Sequence, residues 1–147
     1  MLREDGIVMD DGTTTRISEN HYHMTTTTAQ AANVLSHLEY YLQLVWPELN
    51  VNVVSTTEQW AGAAIAGPKS REVLKKLFPK SDVTNEGLPF MGYMEGDLFG
   101  VKAKIFRISF SGELAYEVNV ESDNGYFMWE KIIEAGEEFG IQPYGTE

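Results

Sequence analysis

The stretch VKAKIFRISFSGELAYEVNVESDNGYFMWEKIIEAGEE, residues 101–138, decides the fold. Val101 to Ser109 reads as a strand, and Ser111-Gly112-Glu113 supplies a tight connection. Leu114 to Val120 then returns with an alternating apolar and polar pattern, the period of a strand with two different faces. Asp123 or Asn124 can cap a helix running from Gly125 to about Glu138, with Phe127, Trp129, Ile132 and Ile133 apolar along it. A hairpin followed at once by a helix indicates an antiparallel sheet with helices laid against it.

The same grammar holds upstream. A strand is expected near Glu95 to Phe99, and Ser81 to Gly92 is turn-rich and irregular. Gly67-Pro68 opens a helix, with Pro68 near the first turn, where its missing N–H costs nothing. Val73, Leu74, Leu77 and Phe78 form the buried face of that helix; Lys69, Arg71, Lys75 and Lys76 form the wet one. Trp60 to Ala66 reads as a strand of small residues, and Val51 to Ser55 as a short β-branched strand. From Ala29 to about Leu44, apolar residues recur at helical spacing (Ala31, Val34, Leu35, Leu38, Tyr41, Leu42), with Thr27 or Thr28 as cap and Pro47 as terminator. Thr13 to Ile17 and His21 to Thr26 read as a hairpin about Ser18-Glu19-Asn20. The expected class is α+β, a largely antiparallel sheet with packed helices, and its first half has the makings of a ferredoxin-like unit.

Composition narrows the partners. A chain of 147 residues that is 43% hydrophobic can build a real core. Its formal net charge is −11, with 11 Lys and Arg against 22 Asp and Glu. That balance argues against a nucleic-acid partner, which requires cations against phosphates, and against an anionic membrane surface. An anionic ligand would need local cations such as Arg16 or Arg107. With no Cys, thiolate metal sites, disulfides and Cys nucleophiles are excluded. No apolar run approaches the length of a membrane span, and Met1-Leu2-Arg3-Glu4-Asp5 is no signal peptide, so a cytoplasmic location is expected. The chain stops at Pro143-Tyr144-Gly145-Thr146-Glu147, which reads as the N-cap of a helix that does not follow. The expectation is a piece of a longer protein.

Several residues could carry chemistry. Asp10-Asp11-Gly12 precedes a strand; adjacent acids there can bind a metal, hold a ligand amine or simply make a turn. His21 and His23 share one face of a predicted strand but lack an evident third metal ligand. Glu113, at the turn of the 101–120 hairpin, is a rim carboxylate of the kind that recognises paired N–H donors, or else a solvated turn acid. Gly67-Pro68-Lys69-Ser70 lacks the spacing of a phosphate loop, and Gly92, Gly96 and Gly100 lack the strand-to-helix setting of a dinucleotide fingerprint.

Three of these stretches, in this order, resemble the aminomethyltransferase family, which includes the T-protein of the glycine cleavage system. They are Leu2 to Asp11, with its Gly-apolar-Asp-Asp approach to a strand; Ala64 to Ser70, with its Gly-Pro junction; and Arg107 to Val118, with its Ser-Gly-Glu and Tyr-Glu hairpin. His21 to Thr28, Thr57 to Ala61 and Gly140 to Glu147 resemble in particular the sarcosine oxidase branch of that family.

The resemblance implies a folate-binding fold of which residues 1–147 are a part, without the family's C-terminal barrel. It implies tetrahydrofolate as the one-carbon acceptor. Flavin and NAD would be bound elsewhere in the longer protein, and the other subunits of a heterotetrameric sarcosine oxidase would be its partners. On the residues, it implies Asp11 as the catalytic carboxylate near the reacting nitrogen, Glu113 as the reader of the pterin edge, and Asp10 and Phe110 as neighbouring binding residues, with no metal. Phe110 stands where many relatives have Tyr, so a hydroxyl contact is lost; Thr15 likewise replaces a Tyr of the glycine-cleavage relatives. An isolated piece is expected to be inactive. The alternatives are a free-standing aminomethyltransferase and a non-catalytic assembly domain, for which Tyr126 and Trp129 could form an interface, although core packing is the expectation for both.

Overall fold

A computed structural model of the chain describes residues 1–145; the expected N-cap at Thr146-Glu147 lies outside them. The described chain forms two compact units, residues 1–57 and the remainder from Glu58. The α+β class with antiparallel sheets is what the structure shows.

In the first unit, Thr14–Ser18 (β1) pairs antiparallel with His21–Met24 (β2). Helix α1, Ala31–Tyr40, is preceded by a 3-10 turn at Thr28–Gln30 and followed by a π turn at Tyr41–Val45. The helical span expected from periodicity is therefore present, but its two ends are wound differently from its middle. Thr27 precedes the first turn without capping it through its side chain; that hydroxyl is engaged elsewhere. Val51 to Ser55 is not a strand. Its β-branched residues are mostly exposed, and β1 pairs with β2 alone, so strand propensity there is not met by a partner.

The second unit holds the main core. Trp60–Ala66 (β3), Tyr93–Leu98 (β4), Val101–Phe106 (β5) and Ala115–Glu121 (β6) form one antiparallel sheet in the order β3-β6-β5-β4. Two helices, Ser70–Leu77 (α2) and Gly125–Gly136 (α3), supply its cover. Ile65, Ala103, Ile105, Tyr116, Val118 and Val120 come from one face of the sheet and pack with Val73, Leu74, Leu77 and Phe78 and with Met128 and Ile132. The four apolar residues read as the buried face of α2 are at most 3% exposed. Gly96 lets this packing close, since a Cβ there would stand 2.7 Å from Phe78 Cδ1.

Two sequence readings are corrected. The strand expected to run to Ser109 ends at Phe106, and the connection to β6 is correspondingly longer. Trp129 and Tyr126, expected in the core, are exposed at 44% and 74%; Met128 fills the core position of that helical turn instead.

Candidate functional site

The Asp-Asp-Gly motif separates into three different roles. Asp10 is buried, and its carboxylate accepts from both the backbone N–H (2.9 Å) and the hydroxyl (3.0 Å) of Thr27. It ties the approach to β1 to the segment that follows β2, and two charge-matched hydrogen bonds offset its removal from water. Gly12 permits the same crossing: a Cβ there would stand 1.9 Å from the Thr25 carbonyl oxygen. Thr13 and Thr25 complete the clasp through a backbone bond (Thr25 N–H to Thr13 O, 2.8 Å) and a hydroxyl pair at 3.0 Å. Asp11, between two pinned neighbours, is exposed and makes no hydrogen bond or ion pair with the described residues. Its neighbours are fixed while its own carboxylate is left unpaired among the described residues.

Glu113 and Phe110 lie on the connection between β5 and β6. Glu113 is exposed and accepts from the Ser111 hydroxyl at 2.6 Å. Gly112 sits at φ 88°, a left-handed conformation that glycine tolerates, and its N–H donates to Ser109 Oγ. Phe110 is fully exposed. The four residues singled out from sequence thus fall in different units, Asp10 and Asp11 in the first, Phe110 and Glu113 in the second.

The sheet face turned away from the helices carries a group that the sequence reading passed over. Strand alternation places Glu117 and Asn119 there, because their neighbours Tyr116, Val118 and Val120 face the helices. The register builds two cross-strand rows. Tyr93, Phe106, Glu117 and Ala64 form one; Glu95, Lys104, Asn119 and Gly62 form the next. Glu117 is half-buried, and desolvation raises its pKa above the ordinary carboxylate range. No described residue gives it a hydrogen bond or an ion pair. Asn119 Nδ2 is buried and also has no hydrogen-bond partner among the described residues.

The surroundings are aromatic and small. Tyr93 and Phe106 lie 5.1 Å apart, and the Tyr93 hydroxyl donates to Glu95 at 2.9 Å. Burial, then that contact with Glu95, pushes the Tyr93 pKa up to about 12. Lys104 lies over the Trp60 ring at 3.8 Å, and desolvation lowers its pKa. Ala64 and Gly62 leave the β3 side of both rows low. The result is a sheet face with a carboxylate and an amide donor, both unpaired among the described residues, two positions apart on one strand. The sequence signal was the alternation itself: a Glu at the middle of a strand whose other face is all core.

Elsewhere, Arg3, Glu4, Asp5, His37, Tyr40 and Tyr41 line an open cleft of about 390 Å³ in the first unit, which holds none of the expected site residues. His21 is exposed and stands on a two-stranded ribbon with His23. No group of three or more His, Asp or Glu gathers among the described residues, and no described helix is long and apolar enough to cross a membrane.

A family model described as the GCVT N-terminal domain matches residues 1–147. The chain belongs to this family. The relatives of this GCVT N-terminal domain include the sarcosine oxidase subunit alpha of Rhizobium meliloti (strain 1021), 50% identical over 149 residues, and that of Corynebacterium sp. (strain P-1), 50% identical over 148 residues. In both, the whole chain is matched and spans 15% of the relative's length. The aminomethyltransferase of Bacillus subtilis (strain 168) is 32% identical over 146 residues, covering 99% of the chain and 38% of that protein. The resemblance to the sarcosine oxidase branch thus extends over the full chain, and this GCVT N-terminal domain corresponds to a minor part of those subunits.

Proposed function

We propose that this domain binds a reduced folate and presents it as the acceptor of a one-carbon unit in a sarcosine-oxidising enzyme. The observation that carries the reading is Glu117, a half-buried carboxylate without a partner among the described residues, beside Phe106 on the sheet face turned away from the helices. A carboxylate in that setting accepts two parallel N–H bonds from a planar ligand edge, and the pterin ring of folate offers such an edge in its 2-amino group and N3–H. Glu113 is the competing candidate. It is exposed and already accepts from Ser111, so it has less to gain from a ligand. The 50% identity to sarcosine oxidase subunits supports the choice of enzyme.

In this reading, flavin bound elsewhere in the longer protein supplies the oxidation of sarcosine to its imine, and NAD and the remaining subunits also lie outside this chain. One folate nitrogen adds to the imine carbon, the C–N bond to glycine breaks as the second folate nitrogen bonds to the same carbon, and the two folate N–H protons end on the departing amine, giving 5,10-methylenetetrahydrofolate and glycine. Asp11, exposed and unpaired, assists by accepting the proton that the attacking nitrogen sheds. Asp10 positions Asp11 through its bonds to Thr27, and Phe110 adds an apolar contact at the rim.

Asp11→Ala in the full-length enzyme tests the assignment. Methylenetetrahydrofolate formation is expected to fall about a hundredfold, with sarcosine oxidation unchanged. Equal loss of both activities would remove Asp11 from the transfer step.

A further inference from the structure

The buried, unpartnered donor of Asn119 calls for an acceptor, because a shielded N–H with no partner forgoes the hydrogen bond it would have in water. Its two directly paired cross-strand neighbours provide none. In its cross-strand row, Lys104 carries only donors and Gly62 has no side chain. Asn119 Oδ1 lies toward β3, since a Cβ on Gly62 would meet it at 2.5 Å and Nδ2 only at 4.0 Å. The donor therefore points away from Gly62. Glu117 stands two residues back on the same face, about 7 Å along the strand.

We propose that Asn119 is a specificity-determining residue, donating from Nδ2 to a carbonyl oxygen of the same planar ligand whose N–H pair is accepted by Glu117. The inference rests on the folate reading given above and deepens it. A 2-amino-4-oxopteridine presents, in sequence along one edge, an amino donor, a ring N–H donor and a carbonyl acceptor. Glu117 and Asn119 present the complement in the same sequence: two acceptor oxygens, then a donor. Phe106 and Ala64 flank Glu117 in its row, and Gly62 keeps the β3 side of Asn119 low enough for a flat ring. Lys104 is the movable part. Its amine reaches from β5 to the Trp60 ring on β3, so its stem crosses β6, and a flexible chain held by a cation–π contact can swing aside as the ring enters.

The test uses the full-length protein and two ligands, folic acid and aminopterin; aminopterin has a 4-amino group in place of the 4-oxo group and no hydrogen on N3, so each ligand's response is read against its own binding to the unaltered protein. Asn119→Ala is expected to weaken folic acid about tenfold, and to leave aminopterin within about twofold because that ligand offers no acceptor at the 4-position. Asn119→Asp, nearly isosteric, keeps the test sound if the Ala variant folds poorly. It replaces the donor with an acceptor and is expected to weaken folic acid further while favouring aminopterin. Equal weakening of both ligands in both variants, or no change in either, overturns the role of Asn119 and leaves the folate reading standing. Failure of the unaltered protein to bind either ligand or 5-formyltetrahydrofolate overturns both.

Discussion

Gly62→Ala perturbs the sheet face without replacing either polar reader. A methyl at Gly62 would stand 2.5 Å from Asn119 Oδ1 and 3.4 Å from its Cγ. The obstructing atom is the end of a side chain, so the amide turns aside and the backbone stays. Terminal amide torsions are broad, and displacing one costs about 0.5–1.5 kcal/mol. Against this, replacing a glycine in a strand interior by alanine recovers about 0.5–1 kcal/mol of unfolded-state entropy. The two nearly cancel, and the melting temperature should move by less than about 5 °C. Ligand binding should not be spared: with the Asn119 amide displaced, affinity for folic acid should fall about tenfold and that for aminopterin should hold. Thermal unfolding and calorimetric titration of the same preparation read both quantities. A melting temperature lowered by more than about 10 °C would show that the backbone, not the amide, yields. Unchanged selectivity between the two ligands would show that Asn119 is not oriented against Gly62 as described.

Three further outcomes are expected. Gly12→Ala should be far less tolerated than Gly62→Ala, because its Cβ would meet the backbone oxygen of Thr25 at 1.9 Å; a loss toward the upper end of about 1–3 kcal/mol in denaturant unfolding is predicted, and a neutral result would contradict the clasp. Thr27→Val removes the hydroxyl that bonds buried Asp10 and should cost about 1.5–3 kcal/mol, measurable by the same titration. Glu117 should also impose a pH slope on stability. Its pKa is raised in the folded state, so the folded protein binds the proton more tightly. Stability then falls as pH climbs from the ordinary carboxylate range through the raised value, and is flat above it. Glu117→Gln should abolish that slope and be the more stable protein at neutral pH; a stability difference between the two that does not vary with pH would refute the desolvation.

Much of the second unit was legible from sequence because periodicity and burial agree there. β3 has the bounds read from Trp60 to Ala66, and Val73, Leu74, Leu77 and Phe78 are buried as their spacing implied. Where the structure departs from local propensity, the cause is shared: tertiary pairing decides. Val51 to Ser55 has the composition of a strand but pairs with no strand among the described residues. Trp129 has the hydrophobicity of a core residue, but the smaller Met128 takes the inward position on α3.

The site divides similarly. The sequence marks Asp10-Asp11-Gly12 as unusual, yet which carboxylate is buried depends on Thr27, 17 positions away. Glu113 stands out in a sequence because it sits in a turn beside Gly112. Glu117 does not stand out until its strand neighbours are known to face the core and its own row is seen to hold no cation. Asn119 is visible only as an orphaned donor, a property that no spacing encodes.

The central claim is that Glu117, rather than Glu113, reads the ligand. Calorimetric titration of 5-formyltetrahydrofolate, a stable reduced folate, into the full-length protein and its Glu117→Gln and Glu113→Gln variants tests it directly. Glu117→Gln is predicted to weaken binding by about ten- to a hundredfold, with Glu113→Gln close to the unaltered protein. Undiminished binding in Glu117→Gln, or a loss confined to Glu113→Gln, would contradict the account.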